Sequence, residues 1–235
     1  MTSGSGDASV TDERPDGRRQ RWQEHNLARR QVIIDAAVAV LERQSPGEEV
    51  QVQAVALEAG MSRTVIYRHF DDRADLDRAV QRKICADLGT VMRPALAADG
   101  TPEQVIRNLV AALVGWAMEH PVLYWFAERD LAGWAPSPMT EAVGDLAATI
   151  ERVMSRVLEA TGVELEPEDR ASLDPWVFGM IGAVFAAVRR WLERPERTPS
   201  AEVLIAMLAD SLWLQVDGLA TARGVAIPAR PLATL

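Results

Sequence analysis

Between residues 50 and 70 the chain reads VQVQAVALEAGMSRTVIYRHF, with apolar positions at helical spacing on both sides of a glycine. Val52, Val55, Ala56 and Ala59 recur at three and four residues, which gives a first short helix one apolar face. Gly60 stands where a helix is commonly ended by a left-handed residue, a conformation glycine adopts without steric cost. Ser62 then predicts an N-cap for a second helix. Val65, Ile66 and Phe70 of that helix can face a core, while Arg63, Thr64, Tyr67, Arg68 and His69 face elsewhere. Two short helices joined by a glycine turn form the helix-turn-helix pattern. The second has the size and the donors to enter a DNA major groove.

The helical period continues through the rest of the chain. Ile33, Ala36, Ala37, Val40 and Leu41 predict a first helix over about 26–43, ended by Ser45-Pro46-Gly47. Asp71-Asp72 predicts the cap of a long helix with Leu76, Val80, Ile84, Leu88 and Val91 on one face, broken or kinked at Pro94. Thr101-Pro102-Glu103 opens another helix, and Pro121 restarts a short aromatic one. Three more helices are predicted over about 139–160, 168–192 and 201–222. No long stretch alternates with period two, so no sheet is expected. The predicted fold class is all-α, with an N-terminal three-helix DNA-binding domain and a larger C-terminal helical ligand-binding and dimerisation domain. The expected boundaries are a disordered basic and polar tail over 1–20, the helix-turn-helix domain over 21–83, the ligand-binding and dimerisation domain over 84–224, and an irregular tail over 225–235.

Hydrophobic residues make up 48% of the 235, a globular composition. The formal net charge of -9 argues against a protein that coats nucleic acid generally. Its distribution changes the picture, because residues 1–83 carry a net of -1 and the remainder a net of -8. DNA contact is thereby confined to one end. Arg14, Arg18, Arg19, Arg21, Arg29 and Arg30 form a basic arm ahead of the motif, with Trp22 as its expected apolar anchor. The arm either follows phosphates or reaches the minor groove, or it is a solvated charge run. Cys85 is the only cysteine, which excludes an intrachain disulfide and fits a reducing, cytoplasmic setting. The longest apolar run, Trp176 to Val188, is shorter than a membrane span and ends in Arg189-Arg190, so no membrane partner is expected.

Val55-Ala56, Ala59-Gly60-Met61-Ser62, Ile66-Tyr67-Arg68-His69-Phe70, Arg73 and Leu76 together resemble, without a gap, the N-terminal domain of TetR-type (TetR/AcrR) transcriptional regulators. The resemblance covers about residues 29–91. Two positions depart from the pattern: Gln51-Val52 stands where the family usually opens with threonine, and Arg73 replaces a usual lysine. The resemblance implies that Tyr67 and His69 donate to phosphates, with Gln51, Arg68 and Arg73 near the backbone. Base readout is expected from Arg63 and Thr64 in the first turn of the second motif helix and from Gln53. Val65 touches a thymine methyl or belongs to the core.

One recognition helix covers too few base pairs for selectivity, so a homodimer on a palindromic double-stranded operator is expected. Its candidate interface is Trp176, Val184, Val188, Trp191, Leu204, Leu208 and Leu212, on two helices apolar nearly all round. The resemblance also implies four helices packed from two subunits, and a pocket in the helical body. Six of the seven tryptophans lie after residue 115. Trp116, His120, Tyr124, Trp125, Trp134, Trp176 and Met180 are the expected ligand-binding residues, and as single rings each is equally a core residue. The expected effector is small and hydrophobic, aromatic or acyl, with Arg129 or Arg152 available to a carboxylate. No cofactor, metal site or catalytic residue is implied, because metal-ligand spacings, nucleophile motifs and phosphate loops are missing. The expected function is a ligand-responsive repressor. The alternative is a helical interaction or membrane-surface protein without sequence-specific DNA binding.

Overall fold

The computed structural model describes residues 17–45, 48–97, 100–129 and 136–231. Among these residues there are nine helices and no strand. They are α1 (Gly17–Glu42), α2 (Val52–Glu58), α3 (Arg63–His69), α4 (Arg73–Ala97), α5 (Pro102–Glu119), α6 (Pro121–Glu128), α7 (Pro138–Thr161), α8 (Pro167–Leu192) and α9 (Ala201–Ala222). In the N-terminal domain α1 packs against α2, α3 and α4; in the C-terminal domain α4 packs against α5, α6 and α7, with α8 on α7, α5 and α6, and α9 on α5.

In the head, Ile33, Ala37 and Leu41 of α1 are buried with Val55 and Ala56 of α2, Ile66 of α3 and Phe70. The turn after α2 closes as the sequence predicts. Met61 N–H donates to Ala56 O at 2.9 Å and Gly60 N–H to Leu57 O at 3.1 Å, with Gly60 left-handed at φ 63°. This paired closure satisfies two of the orphan carbonyls at the helix end. Ser62 is the N-cap residue of α3, but its hydroxyl makes no capping bond.

Two expectations about helix limits need correction, the start of the first helix and a break at Pro94. The first helix starts at Gly17 and not near residue 26, so residues 17–20 are helical where a disordered basic and polar tail is expected from the sequence. Trp22 does not anchor it and is 66% exposed. The fourth helix runs through Pro94 to Ala97. Pro94 is exposed and removes the N–H bond to the carbonyl of Thr90, but only three helical residues follow it, so little of the helix depends on that bond. Residues 1–16, including Arg14, lie outside the described residues, as does Trp134.

Capping groups fix where the other helices begin. Asp72 Oδ1 accepts from Asp75 N–H at 2.7 Å ahead of α4. Thr101 and Gln104 form a reciprocal capping box ahead of α5. Ser137 accepts from Thr140 N–H for α7, and Ser200 from Val203 N–H for α9. A break at His120-Pro121 turns α6 by 105° from α5. Gln81 of α4 is fully buried, and its amide donates to Phe126 O and Arg129 O at 2.9 Å each.

By length and composition α8 and α9 are long and apolar enough to cross a bilayer, since each helix extends beyond the short apolar run in its sequence. Only 11% of the most apolar stretch of α9 is buried, so this chain leaves most of that face uncovered.

The turn at Gly60 generates a test. Open space surrounds a Cβ added there, so Gly60→Ala strains only the backbone. It is expected to lower the unfolding free energy by about 1–2 kcal/mol. Urea denaturation reads this; an unchanged midpoint would show that the turn does not require the left-handed conformation.

Candidate nucleic-acid interface and apolar cavity

On α3 the buried Ile66 anchors the inner face, and the outer face carries the polar side chains. Arg63, Thr64, Tyr67 and Arg68 are exposed, while Val65 and His69 are half-buried. Gln51 and Gln53, at the start of α2, are also exposed. The Arg63 guanidinium lies 5.6 Å from the centre of the Tyr67 ring, and the ring itself is 40% exposed. The hydroxyl-bearing ring therefore belongs to the outer surface and not to the core.

His69 is held neutral more readily than a free histidine. Burial lowers its pKa first, and the positive charges of Arg29, Arg30 and His25 lower it further. A neutral imidazole still offers one N–H donor. The same charges show that α1 brings a basic flank to the end of α3.

Two arginines have intrachain roles that residue type alone does not reveal. Arg30 donates to His69 O, pairs with Asp75 at 3.4 Å, and places its guanidinium 4.0 Å from the centre of the Phe70 ring. Arg73 donates from Nε to Asp77 Oδ1 at 2.7 Å and from Nη1 to Val50 O. Arg30 thus clamps the end of α3, and Arg73 ties α4 to the entry of α2. The signal for Arg73 was its i,i+4 partner Asp77; Arg30 had no comparable local signal.

The C-terminal domain contains a cavity of about 220 Å³. Met92 and Leu96 of α4 form part of its wall, with residues from α5, α7, α8, α9 and the segment after α9. Trp176 and Met180 line it; Trp116, His120, Tyr124 and Trp125 do not. Trp116 is buried beside His120, whose Nδ1 lies 3.0 Å from Glu42 Oε1 of α1, so this pair sits between head and body. Tyr124 is buried and donates to Phe185 O at 2.8 Å. Glu128 beside it is shifted up by burial, with Arg189 opposing the shift. Neither Arg129 nor Arg152 reaches the cavity. Burial pushes the Cys85 thiol up to about 11, which keeps it protonated and unreactive. Among the described residues no cluster of three or more His, Cys, Asp or Glu is arranged to hold a metal ion.

The residues expected at a dimer interface divide into two sets. Val184, Val188, Trp191 and Leu204 are buried within their own chain, and Trp191 Nε1 donates to Pro199 O at 2.8 Å. Trp176, Leu208 and Leu212 are half-buried along a groove between α8 and α9. The exposed apolar side chains nearby are Phe178, Val203, Met207 and Leu214.

A three-helix head with an exposed, donor-bearing second motif helix, joined to a helical body, defines a helix-turn-helix DNA-binding regulator. Residues 33–80 match the family model of bacterial regulatory proteins, tetR family. An HTH-type transcriptional regulator of Mycobacterium tuberculosis is 26% identical over 210 residues, covering 89% of this chain and 86% of that protein. A TetR-family regulator from Streptomyces coelicolor has the same fold, with a TM-score of 0.59 at 20% identity over 84% of this chain and 85% of that one. So does RolR in complex with resorcinol, with a TM-score of 0.60 at 17% identity over 88% and 98%. Residues 33–80 are thus similar to the DNA-binding helix-turn-helix of TetR-type transcriptional regulators, and the relatives matched over most of this chain are regulators of transcription.

The Arg30 clamp is open to direct measurement. Arg30→Ala removes charge-assisted bonds worth about 1.5–3 kcal/mol and is expected to speed amide exchange across α3. Exchange confined to its former rate would show that α3 is held by apolar packing alone.

Proposed function

We propose that the chain is a homodimeric repressor that binds a palindromic operator and is released by a small apolar effector in the C-terminal domain. The observation that carries the reading is the face of α3, where Arg63, Thr64, Tyr67 and Arg68 are exposed together above the buried Ile66. Arg63, Thr64 and Gln53 read bases, Arg63 with the fork geometry that suits guanine O6 and N7. Val65 adds an apolar contact from its half-buried position. Tyr67, Arg68, His69 and Gln51 contact phosphate and fix the register. Arg73 positions this surface from behind, through Asp77 and Val50, more than it touches the duplex.

The dimer is supported by the uncovered apolar faces of α8 and α9. Val203 and Met207 are each 55% exposed and Leu214 is 70% exposed, too much apolar surface along one helix to leave in water. Gly179, Gly182, Ala183 and Ala186 leave α8 low enough for a partner helix to approach. The effector role is supported by the cavity, whose wall includes α4, and by the resorcinol complex of the fold relative RolR. In this mechanism the effector moves Met92 and Leu96, α4 moves with them, and the two reading heads change separation. Coupling of about 1–3 kcal/mol gives a tenfold or larger effect on operator affinity. The apolar faces of α8 and α9 also favour the alternative of a membrane-surface protein. Vesicle binding in the absence of any operator binding would replace the regulator reading with that one.

Arg63→Ala is expected to weaken binding to the cognate operator by about 1–3 kcal/mol and to relax preference at one base pair. Affinity and footprint both unchanged would remove Arg63 from the reading surface. Met207→Asp combined with Leu214→Asp is expected to convert the dimer to a folded monomer in sedimentation and to abolish tight operator binding. A wild-type chain that sediments as a monomer at micromolar concentration would contradict the dimer.

A further inference from the structure

The cavity discriminates among effector chemistries, and the inference that follows rests on reading the C-terminal domain as the effector-binding one. Its wall is aliphatic almost throughout: valine, leucine, isoleucine and methionine side chains from five helices, with Trp176 and Phe185 as the aromatic rings. Arg223 is the one charged side chain among the described lining residues. A ligand with polar groups along its length would bury them without partners, a loss that such a wall cannot offset.

Shape points the same way. Pro102 and Leu113 both line the cavity, and at the rise of an α-helix they lie about 17 Å apart along α5. Leu173 and Phe185 both line it about 18 Å apart along α8. A volume of 220 Å³ drawn out over such a distance is narrow, suited to a chain more than to a disc. Apolar cavities of about 150 Å³ already stay dry and take benzene, so this one has room for a larger apolar guest.

One end differs from the rest. Arg223 follows the last residue of α9 and pairs with Asp169 of α8 at 2.5 Å, and both side chains are about one-third exposed. Gly224, left-handed at φ 71°, then turns the chain so that Val225 and Ile227 join the wall. The only charged donor is therefore at a water-accessible end, already balanced by a carboxylate.

The geometry points to an extended aliphatic chain with a single terminal polar group, seated with that group at the Arg223–Asp169 end. A hydroxyl there shares the existing ion pair. A carboxylate binds by drawing the guanidinium away from Asp169.

The test uses the full chain in the absence of DNA, with dodecanoate, 1-dodecanol and resorcinol as probes below any micellar concentration. Native mass spectrometry reports occupancy and stoichiometry. Both dodecyl probes are expected to bind one per chain and raise the thermal midpoint. Ile150→Trp, which fills the cavity from α7, is expected to abolish both. Should that variant fail to fold, Leu109→Phe from α5 replaces it. Arg223→Gln is expected to weaken dodecanoate about tenfold while leaving dodecanol nearly unchanged, because only the anion exploits the charge. Tighter binding of resorcinol than of either dodecyl probe would overturn the inference. So would undiminished dodecyl binding by a folded, cavity-filled variant, no binding of either dodecyl probe to the wild type, or equal loss of both dodecyl probes in Arg223→Gln. Gel shifts keep the two readings apart. Dodecyl binding that leaves operator affinity unchanged sinks the effector role and keeps the ligand class, whereas release of DNA by a different ligand does the reverse.

Discussion

Helix α4 belongs to two packed units at once, and both depend on its register. In the head, Leu76 and Val80 join the core formed by α1, α2 and α3; further along, Ile84, Leu88 and Met92 are buried against the body. Apolar packing alone tolerates small slips, because one aliphatic side chain replaces another at modest cost. Gln81 does not. Its buried amide donates to two carbonyls at the end of α6, and it would lose both acceptors if α4 advanced by a residue. A buried polar group left without a partner costs about 1–3 kcal/mol, so this amide fixes α4 against the body in one position. Arg73 and Asp77 do the same on the head side, tying α4 to Val50.

From this constraint the route between the cavity and the reading face follows. Leu76 and Leu96 are about 30 Å apart along one continuous helix. The far end forms the cavity wall, and the near end carries Asp75, which with Arg30 clamps α3. A second connection runs from Glu42 at the end of α1 to His120 at the bend between α5 and α6. In the proposed mechanism these contacts make the head follow α4 as a body. The charge distribution serves the same division of labour: the body is the acidic part of the chain, so phosphate is attracted only where α1 and α3 bring their arginines together.

The head was legible because its signals are local. Gly60 needs only its own φ, and the apolar residues of α2 and α3 lie within one turn of each other. Where the reading departed from the structure, the missing information was of longer range. The first half of α1 carries no apolar stripe, so its helical state left no periodic trace before Ile33. Pro94 reads as a breaker anywhere in a helix, yet here it falls in an exposed last turn. For the cavity, the large aromatic and methionine side chains are the sequence's marker, and of these Trp176 and Met180 do line it. Trp116, Tyr124 and Trp125 instead sit at the α5–α6 bend, a place set by the 105° turn and not by spacing. The residues that do wall the cavity, such as Ile150 and Val153 on α7, repeat at three and four like any core face and carry no distinguishing signal in the sequence.

The proposed dimer and the proposed effector site share α8 and α9, and this bears on how a weak ligand could act. Trp176, Met180, Val184 and Leu212 border both the cavity and the groove between these helices. An occupant that presses on them acts on the subunit contact as well as on α4. A ligand shifts an equilibrium only by its difference in affinity for the two states, and a guest that is aliphatic except for one terminal polar group has few directional bonds to provide that difference. Packing must provide the rest. Because close-packed interiors resist continuous deformation, filling a narrow cavity walled by five helices favours whichever arrangement of α4, α8 and α9 has room for the guest. Two copies joined through α8 and α9 would then convert that choice into a change of spacing between two heads.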